Sequence, residues 1–249
     1  MENSLWTFGC SFTAEYQPLD NVPPNNYDLY KEYKGGSLPS VWPTLLSKKL
    51  NLNCENKGYG ARSNYTIFYT FCNSCSKIKK GDTVIVQWTS PYRFLFANVN
   101  DDGNFLQDVL PSCNYTDFDM KTIEDILVNR TNPIWMEELI SFTKIINEVC
   151  KEKGASIYYW TYHEDEILSY ISSNYDEYDK HKVITWPLEK EKGKSELFNL
   201  SILNYLHTKT DNLHTIGAET EGLIDDDHLG EFGHKEQAEY FYNFIKNKL

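Results

Sequence analysis

The sequence predicts an α/β protein: a three-layer α/β/α sandwich around a mostly parallel sheet of about five strands. Three observations carry this. Strand-like and helix-like segments alternate along much of the 249 residues. The segment "TVIVQW" (Thr83–Trp88) is apolar on both faces, as a strand covered from both sides requires. Trp135, Leu139, Phe142, Ile146 and Val149 follow a 4-3-4-3 spacing that marks a long amphipathic helix. Strands alternating with helices imply helices on both faces of a parallel sheet, with ligands beyond the carboxyl ends of the strands.

The elements follow in order. Leu5–Phe8 reads as a short buried strand ending at Gly9. "PSVWPTLLSKKL" (Pro39–Leu50) opens with a helix-start signature and continues with apolar Trp42, Leu45, Leu46 and Leu50. Leu52–Glu55 is a weaker strand. "NKGYGARSN" (Asn56–Asn64) is a glycine-bearing loop in which Ser63 or Asn64 caps the next helix. "KKGD" turns the chain into Thr83–Trp88. The Asn-, Asp- and aromatic-rich stretch 92–133 breaks the rhythm and reads as an insertion or lid within one domain spanning 1–249. Gly154 ends the long helix, "ASIYYWTY" (Ala155–Tyr162) is the next strand, and "KVITW" supplies a fifth. A final helix from about His234 places Ala238, Phe241, Tyr242, Ile245 and Leu249 on one face.

Composition excludes several function classes. With 24 basic against 36 acidic residues the formal charge is −12, which disfavours a nucleic-acid or anionic-membrane partner. No stretch approaches the ~20 apolar residues of a membrane span, and "MENSLW" lacks the look of a signal peptide, so a cytosolic setting is the default expectation. Six cysteines are too few for a disulfide scaffold. In "CNSC", Cys72 and Cys75 fall on the same helical stripe as Ile67, Phe68, Phe71 and Ile78 and are expected to face the core. No cluster completes a zinc site with them, and no Gly-x-Gly-x-x-Gly follows the first strand, which argues against a dinucleotide.

The chemistry gathers at the expected carboxyl rim. Ser11, Gly60 and the residues after Trp88 each follow a strand. A serine hydroxyl needs a base, and that base needs an orienting partner. Of six histidines only His228, in "IDDDHLGEFGHKEQAEYF", has carboxylates directly before it and a helix after it. Cys10 is a second possible nucleophile, and His234 belongs to the first turn of the last helix.

In this order, Gly-x-Ser after the first strand, an Asn-x-Gly loop after the second and Asp-x-x-His near the end resemble the SGNH (GDSL-type) hydrolase family. "GCSF" (Gly9–Phe12) stands at the first block, Gly60 at the second, and Asp225–His228 at the last. At the third block "QWTSPYR" (Gln87–Arg93) replaces the family's Gly-x-Asn-Asp, with Ser90 aligned to the asparagine. The resemblance implies a flavodoxin-like sheet and a serine esterase. Ser11 would be the nucleophile, His228 the base, and Asp225 (rival Asp226) its orienting acid. Ser11, Gly60 and Ser90 (rival Thr89) would form the oxyanion hole, with no metal and no cofactor. The substrate would be a small-molecule or glycan ester, such as an O-acetylated carbohydrate held by Trp88, Tyr92 and Arg93, with Trp135 and Arg62 further candidates. A non-catalytic glycan-binding or structural module and an acyltransferase are the alternatives.

Overall fold

The computed structural model of the chain describes residues 2–16, 26–90, 93–100, 103–109, 132–161 and 215–247, with the backbone alone for 94–100, 103–109 and 132–133. The strands are β1 (Ser4–Phe8), β2 (Asn53–Asn56), β3 (Thr83–Trp88), β4 (Phe94–Asn100), β5 (Gly103–Val109) and β6 (Ser156–Thr161). The helices are α1 (Asn26–Tyr33), α2 (Trp42–Leu50), α3 (Asn64–Ser74), α4 (Asn132–Lys153), α5 (Ile216–Glu219) and α6 (Glu231–Lys246).

A parallel four-stranded sheet runs in the order β2-β1-β3-β6. Side chains alternate across it with the period of two that a pleated strand imposes. Trp6, Phe8, Val84, Val86, Trp88, Ile157 and Tyr159 face α3 and α4, meeting Ile67, Phe71, Leu139 and Ile146. Leu5, Ile85, Tyr158 and Trp160 face α2 and α6, meeting Trp42, Leu46, Phe241 and Ile245. Helices therefore cover both faces, and the expected three-layer α/β/α architecture is the observed one. Because β1 is flanked by β2 and β3, the loops after β1 and β3 open at a topological switch point, where such sheets leave a crevice.

Local signals explain the boundaries. Ser63 caps α3 by accepting the Thr66 N–H. Gly154 takes φ 70° and lets the chain turn from α4 into β6. Asp82 anchors the amino end of the sheet, accepting from the Ser4 N–H at 2.8 Å and from the Trp6 indole at 3.0 Å. Within 92–133, the described residues include an antiparallel β4–β5 pair, registered from Phe94 with Val109 to Asn100 with Gly103. The expected "KVITW" strand lies outside the described residues, as does Leu249.

One packing expectation fails. Cys72 is exposed and Cys75 only partly buried. Cys72 lies within α3, four residues after the only partly buried Phe68, at the outer margin of the stripe formed by Ile67 and Phe71, while Cys75 falls where α3 gives way to a 3₁₀ turn (Cys75–Lys77) and the 3.6-residue period is broken. No described helix is long and apolar enough to cross a membrane.

Candidate active site

The turn after β1 is a single helical turn held on every side. The Thr13 and Ala14 N–H groups both donate to the Cys10 carbonyl, at 2.9 and 3.0 Å. The Phe12 carbonyl accepts from the Trp42 indole at 2.8 Å, and the Thr13 carbonyl from Asn56 Nδ2 at 2.8 Å. Beneath the turn lies Gln87, fully buried on β3. Its Oε1 accepts from the Cys10 N–H at 3.2 Å and the Thr13 hydroxyl at 2.6 Å, while its Nε2 donates to Cys10 Sγ at 3.1 Å. Cys10 is thus sealed in the core, and Ser11 is the half-buried residue that the turn presents. Among the described residues, no group accepts the Ser11 N–H.

The loop after β2 packs directly on this turn. Asn56 Oδ1 accepts from the Thr7 hydroxyl and the Gly58 N–H, each at 3.0 Å, and the Tyr59 N–H donates to the Gly9 carbonyl at 3.2 Å. A Cβ on Gly58 would lie 2.7 Å from both Ala14 N and the Thr13 carbonyl carbon, so close backbone approach requires glycine at 58. A Cβ on Gly60 would meet nothing within 4 Å: the side of Gly60 is open. Its N–H also has no acceptor among the described residues. Sequence reasoning placed the key glycine at Gly60 and overlooked the packing duty of Gly58.

After β3, Asn64 clamps the Thr89 peptide from both sides, accepting its N–H at 2.8 Å and donating to its carbonyl at 3.0 Å. Thr89 is fully buried and Ser90 half-buried, so Ser90 is the better exposed of the two oxyanion candidates. The Arg93 N–H closes the turn onto the Ser90 carbonyl at 3.1 Å. Two expected substrate contacts are corrected here. Trp88 is fully buried and stacks on Tyr159 with ring centroids 6.1 Å apart, and Trp135 is likewise core. Residue 88 shares the strand face of Val84 and Val86, which points it at α3 and α4 and away from solvent. Tyr92 lies outside the described residues.

His228 belongs to a loop tied to the first turn of α5. The Ile216 N–H donates to the His228 carbonyl and the Gly217 N–H to the Asp226 carbonyl, both at 2.8 Å. Asp226 Oδ1 accepts twice from the same histidine, from its backbone N–H at 2.8 Å and from Nδ1 at 2.6 Å. Of the two aspartates expected as its partner, it is Asp226, not Asp225, whose carboxylate meets the His228 ring. An Asp side chain folds readily onto the backbone N–H two residues ahead, and that turn aims Oδ1 at the ring. The backbone carbonyl of Asp225 accepts from Asn26, and Asp225 and Asp226 both line a cavity of about 1040 Å³ with Lys34, Glu219 and Glu221; neither Ser11 nor His228 lines that cavity.

Burial would push the Asp226 carboxyl up, but hydrogen bonds and charge from His228 outweigh it and hold the group below the usual carboxylate range. With Nδ1 engaged, His228 Nε2 is buried and has no hydrogen-bond partner among the described residues. The imidazole stacks on Phe12, with centroids 4.8 Å apart, and meets the Tyr27 ring edge-on at 6.0 Å. Phe12 follows Ser11 directly, so the serine turn and the histidine loop meet. Asp226, Asp227 and His228 each bring one possible metal-ligand atom within 4.8 Å of the others, and His228 Nδ1 is engaged by Asp226 Oδ1.

The helix after the histidine starts without a cap of its own. Gly230 offers no side chain, so Glu219 accepts the Phe232 N–H at 3.2 Å and the Tyr30 oxygen accepts the Glu231 N–H at 3.0 Å. Tyr30 in turn donates to Glu219, and burial followed by that bond raises its hydroxyl pKa. A Cβ on Gly230 would run into the Glu219 carboxylate. His234 is fully buried, accepts the Trp42 N–H on Nδ1 at 3.2 Å, and is pushed down to about 3 by desolvation and by His228. As expected from sequence, it serves the first turn of α6.

No family model matches the chain, and no curated protein matches it in sequence. Several solved structures resemble it, among them the following two. One is the protein YxiM of Bacillus subtilis, with a TM-score of 0.50 and 16% identity. That match covers 100% of this chain and 57% of YxiM, so the chain spans little more than half of that relative. The other is a protein assigned to the G-D-S-L lipolytic family from Desulfitobacterium hafniense DCB-2, with a TM-score of 0.46 and 13% identity, covering 97% of this chain and 99% of that one. The chain thus carries a three-layer α/β/α fold similar to that of YxiM.

Proposed function

We propose that the chain is a serine ester hydrolase acting through Ser11, His228 and Asp226. One observation carries the reading: His228 is bonded through Nδ1 to a buried carboxylate, its Nε2 is unengaged among the described residues, and its ring lies on Phe12, next in the chain to Ser11. That is the arrangement a general base needs if it is to receive a proton from a neighbouring serine.

In the proposed reaction Ser11 Oγ attacks the ester carbonyl as its proton passes to His228 Nε2. Asp226 fixes the tautomer and stabilises the imidazolium. The oxyanion is met by the N–H groups of Ser11 and Gly60, with the Ser90 hydroxyl as third donor in place of an asparagine. His228 then protonates the departing alcohol, the acyl group stays on Ser11, and water activated by His228 releases it as the acid. Fixed donors of this kind are usually the largest contribution to such catalysis.

As the finer reading, the alcohol side is a carbohydrate carrying an O-acetyl group. Tyr59 supports this, because its ring is 48% exposed, sits beside Gly60 and is braced by the Arg62 guanidinium 4.7 Å from its centroid. It replaces Trp88 as the candidate stacking platform. A nitrophenyl acetate assay on the wild type and Ser11→Ala tests the general reading; turnover that survives the substitution contradicts it. Acetate release from acetylated xylan or chitin fragments, compared with Tyr59→Ala, tests the finer one.

A further inference from the structure

We propose that Gln87 is a positioning residue that fixes the direction of the Ser11 N–H and hydroxyl; this rests on the reading of Ser11 as nucleophile. Every other residue of β3 is apolar apart from Thr83 at its start, yet Gln87 sits in the strand fully buried. Parity puts it on the face of Ile85, toward α2 and α6, directly under the turn that follows β1.

The carboxamide has one workable orientation. The Cys10 N–H can only donate, so Oε1 must face it, and the Thr13 hydroxyl donates to that same oxygen. Nε2 is then left to donate to Cys10 Sγ. Residues 10 and 13 are pinned by one side chain, and residues 11 and 12 are carried between them. Gln87 also explains Gly9. A Cβ there would stand 2.5 Å from Gln87 Oε1 and 2.8 Å from Gln87 Cβ, so the turn can form over this side chain only with glycine before it. The Ser11 N–H, one peptide beyond the pinned Cys10 N–H, keeps no acceptor among the described residues. Small misplacement of such a donor and nucleophile is costly, because about 1 Å can reduce turnover on the order of 10²-fold.

The test combines kinetics with amide exchange. Gln87→Met keeps the volume and removes all three bonds; Thr13→Val removes one donor and Thr13→Ser restores it. The expected result is a kcat lowered about 10- to 10²-fold in Gln87→Met with KM little changed. A smaller kcat loss is expected in Thr13→Val, with recovery in Thr13→Ser, and the Cys10 amide should exchange faster in Gln87→Met and Thr13→Val. Unchanged kcat and unchanged Cys10 exchange in folded Gln87→Met overturn the proposal and leave the serine reading standing. If Gln87→Met does not fold, the Thr13 pair decides: equal kcat for Val and Ser overturns it. If the wild type turns over no ester, the serine reading fails by itself. The exchange arm then judges the clamp, and an unprotected Cys10 amide in the wild type overturns it.

Discussion

Asp226 Oδ1 accepts both the backbone N–H and the ring Nδ1 of His228, at 2.8 and 2.6 Å, so one carboxylate oxygen fixes the loop and the imidazole together. Orientation of the proposed base is thereby built into three consecutive residues, held from behind by the Gly217 N–H on the Asp226 carbonyl.

This pairing separates two neighbouring aspartates. Asp226→Asn is expected to lower kcat by about 10²- to 10⁴-fold, since an amide there favours the wrong tautomer. Asp225→Asn should stay close to wild type. Steady-state kinetics on a nitrophenyl ester checks both, and a reversed ranking would return the role to Asp225.

The two glycines of the second loop should part company in stability. Gly58→Ala drives a methyl into the backbone at Thr13 and Ala14 and is expected to cost about 1–3 kcal/mol. Gly60→Ala points a methyl into open space and should leave the unfolding midpoint nearly unchanged. Urea unfolding of both variants gives the comparison.

His234 predicts a pH dependence of stability. Its folded-state pKa is depressed to about 3 against an unfolded value of about 6.5, so the unfolded chain binds the proton first. The contribution is fully present above about pH 6.5 and is lost as pH falls toward 3. Between pH 7 and 5 the wild type should lose about 2 kcal/mol through this group alone. His234→Gln, read by denaturant unfolding at the two pH values, should lose correspondingly less.

Trp88 gives a further contrast. As a buried neighbour of Tyr159 it should cost about 3–5 kcal/mol of stability when cut to Ala. Tyr59→Ala should leave stability unaffected and raise KM for a carbohydrate ester. Thermal unfolding and saturation curves distinguish the two roles.

Much of the sheet was legible because burial on two faces leaves a plain trace. The run Thr83–Trp88 announces a central strand, and the 4-3-4-3 spacing announces α4. The same period of two, applied to Trp88, would have assigned it to the face of Val84 and Val86 rather than to a ligand. Gln87 was an equally visible signal, a carboxamide inside an apolar strand, whose partners lie 74 to 77 residues away in sequence. The choice between Asp225 and Asp226 was not legible, because both lie within reach of His228 and only the local turn decides which oxygen meets the ring. Cys72 misled because it sits inside α3 but at the outer margin of the stripe formed by Ile67 and Phe71, and Cys75 because the change to a 3₁₀ turn there leaves no sharp mark in "CNSC".

The central claim is that Ser11 is a nucleophile activated by His228, and covalent capture by a fluorophosphonate tests it most directly. A single adduct on the Ser11 peptide is predicted in folded wild-type protein, absent in Ser11→Ala and formed far more slowly in His228→Asn. No adduct on the folded protein, or an adduct on another residue that persists in Ser11→Ala, would contradict the account.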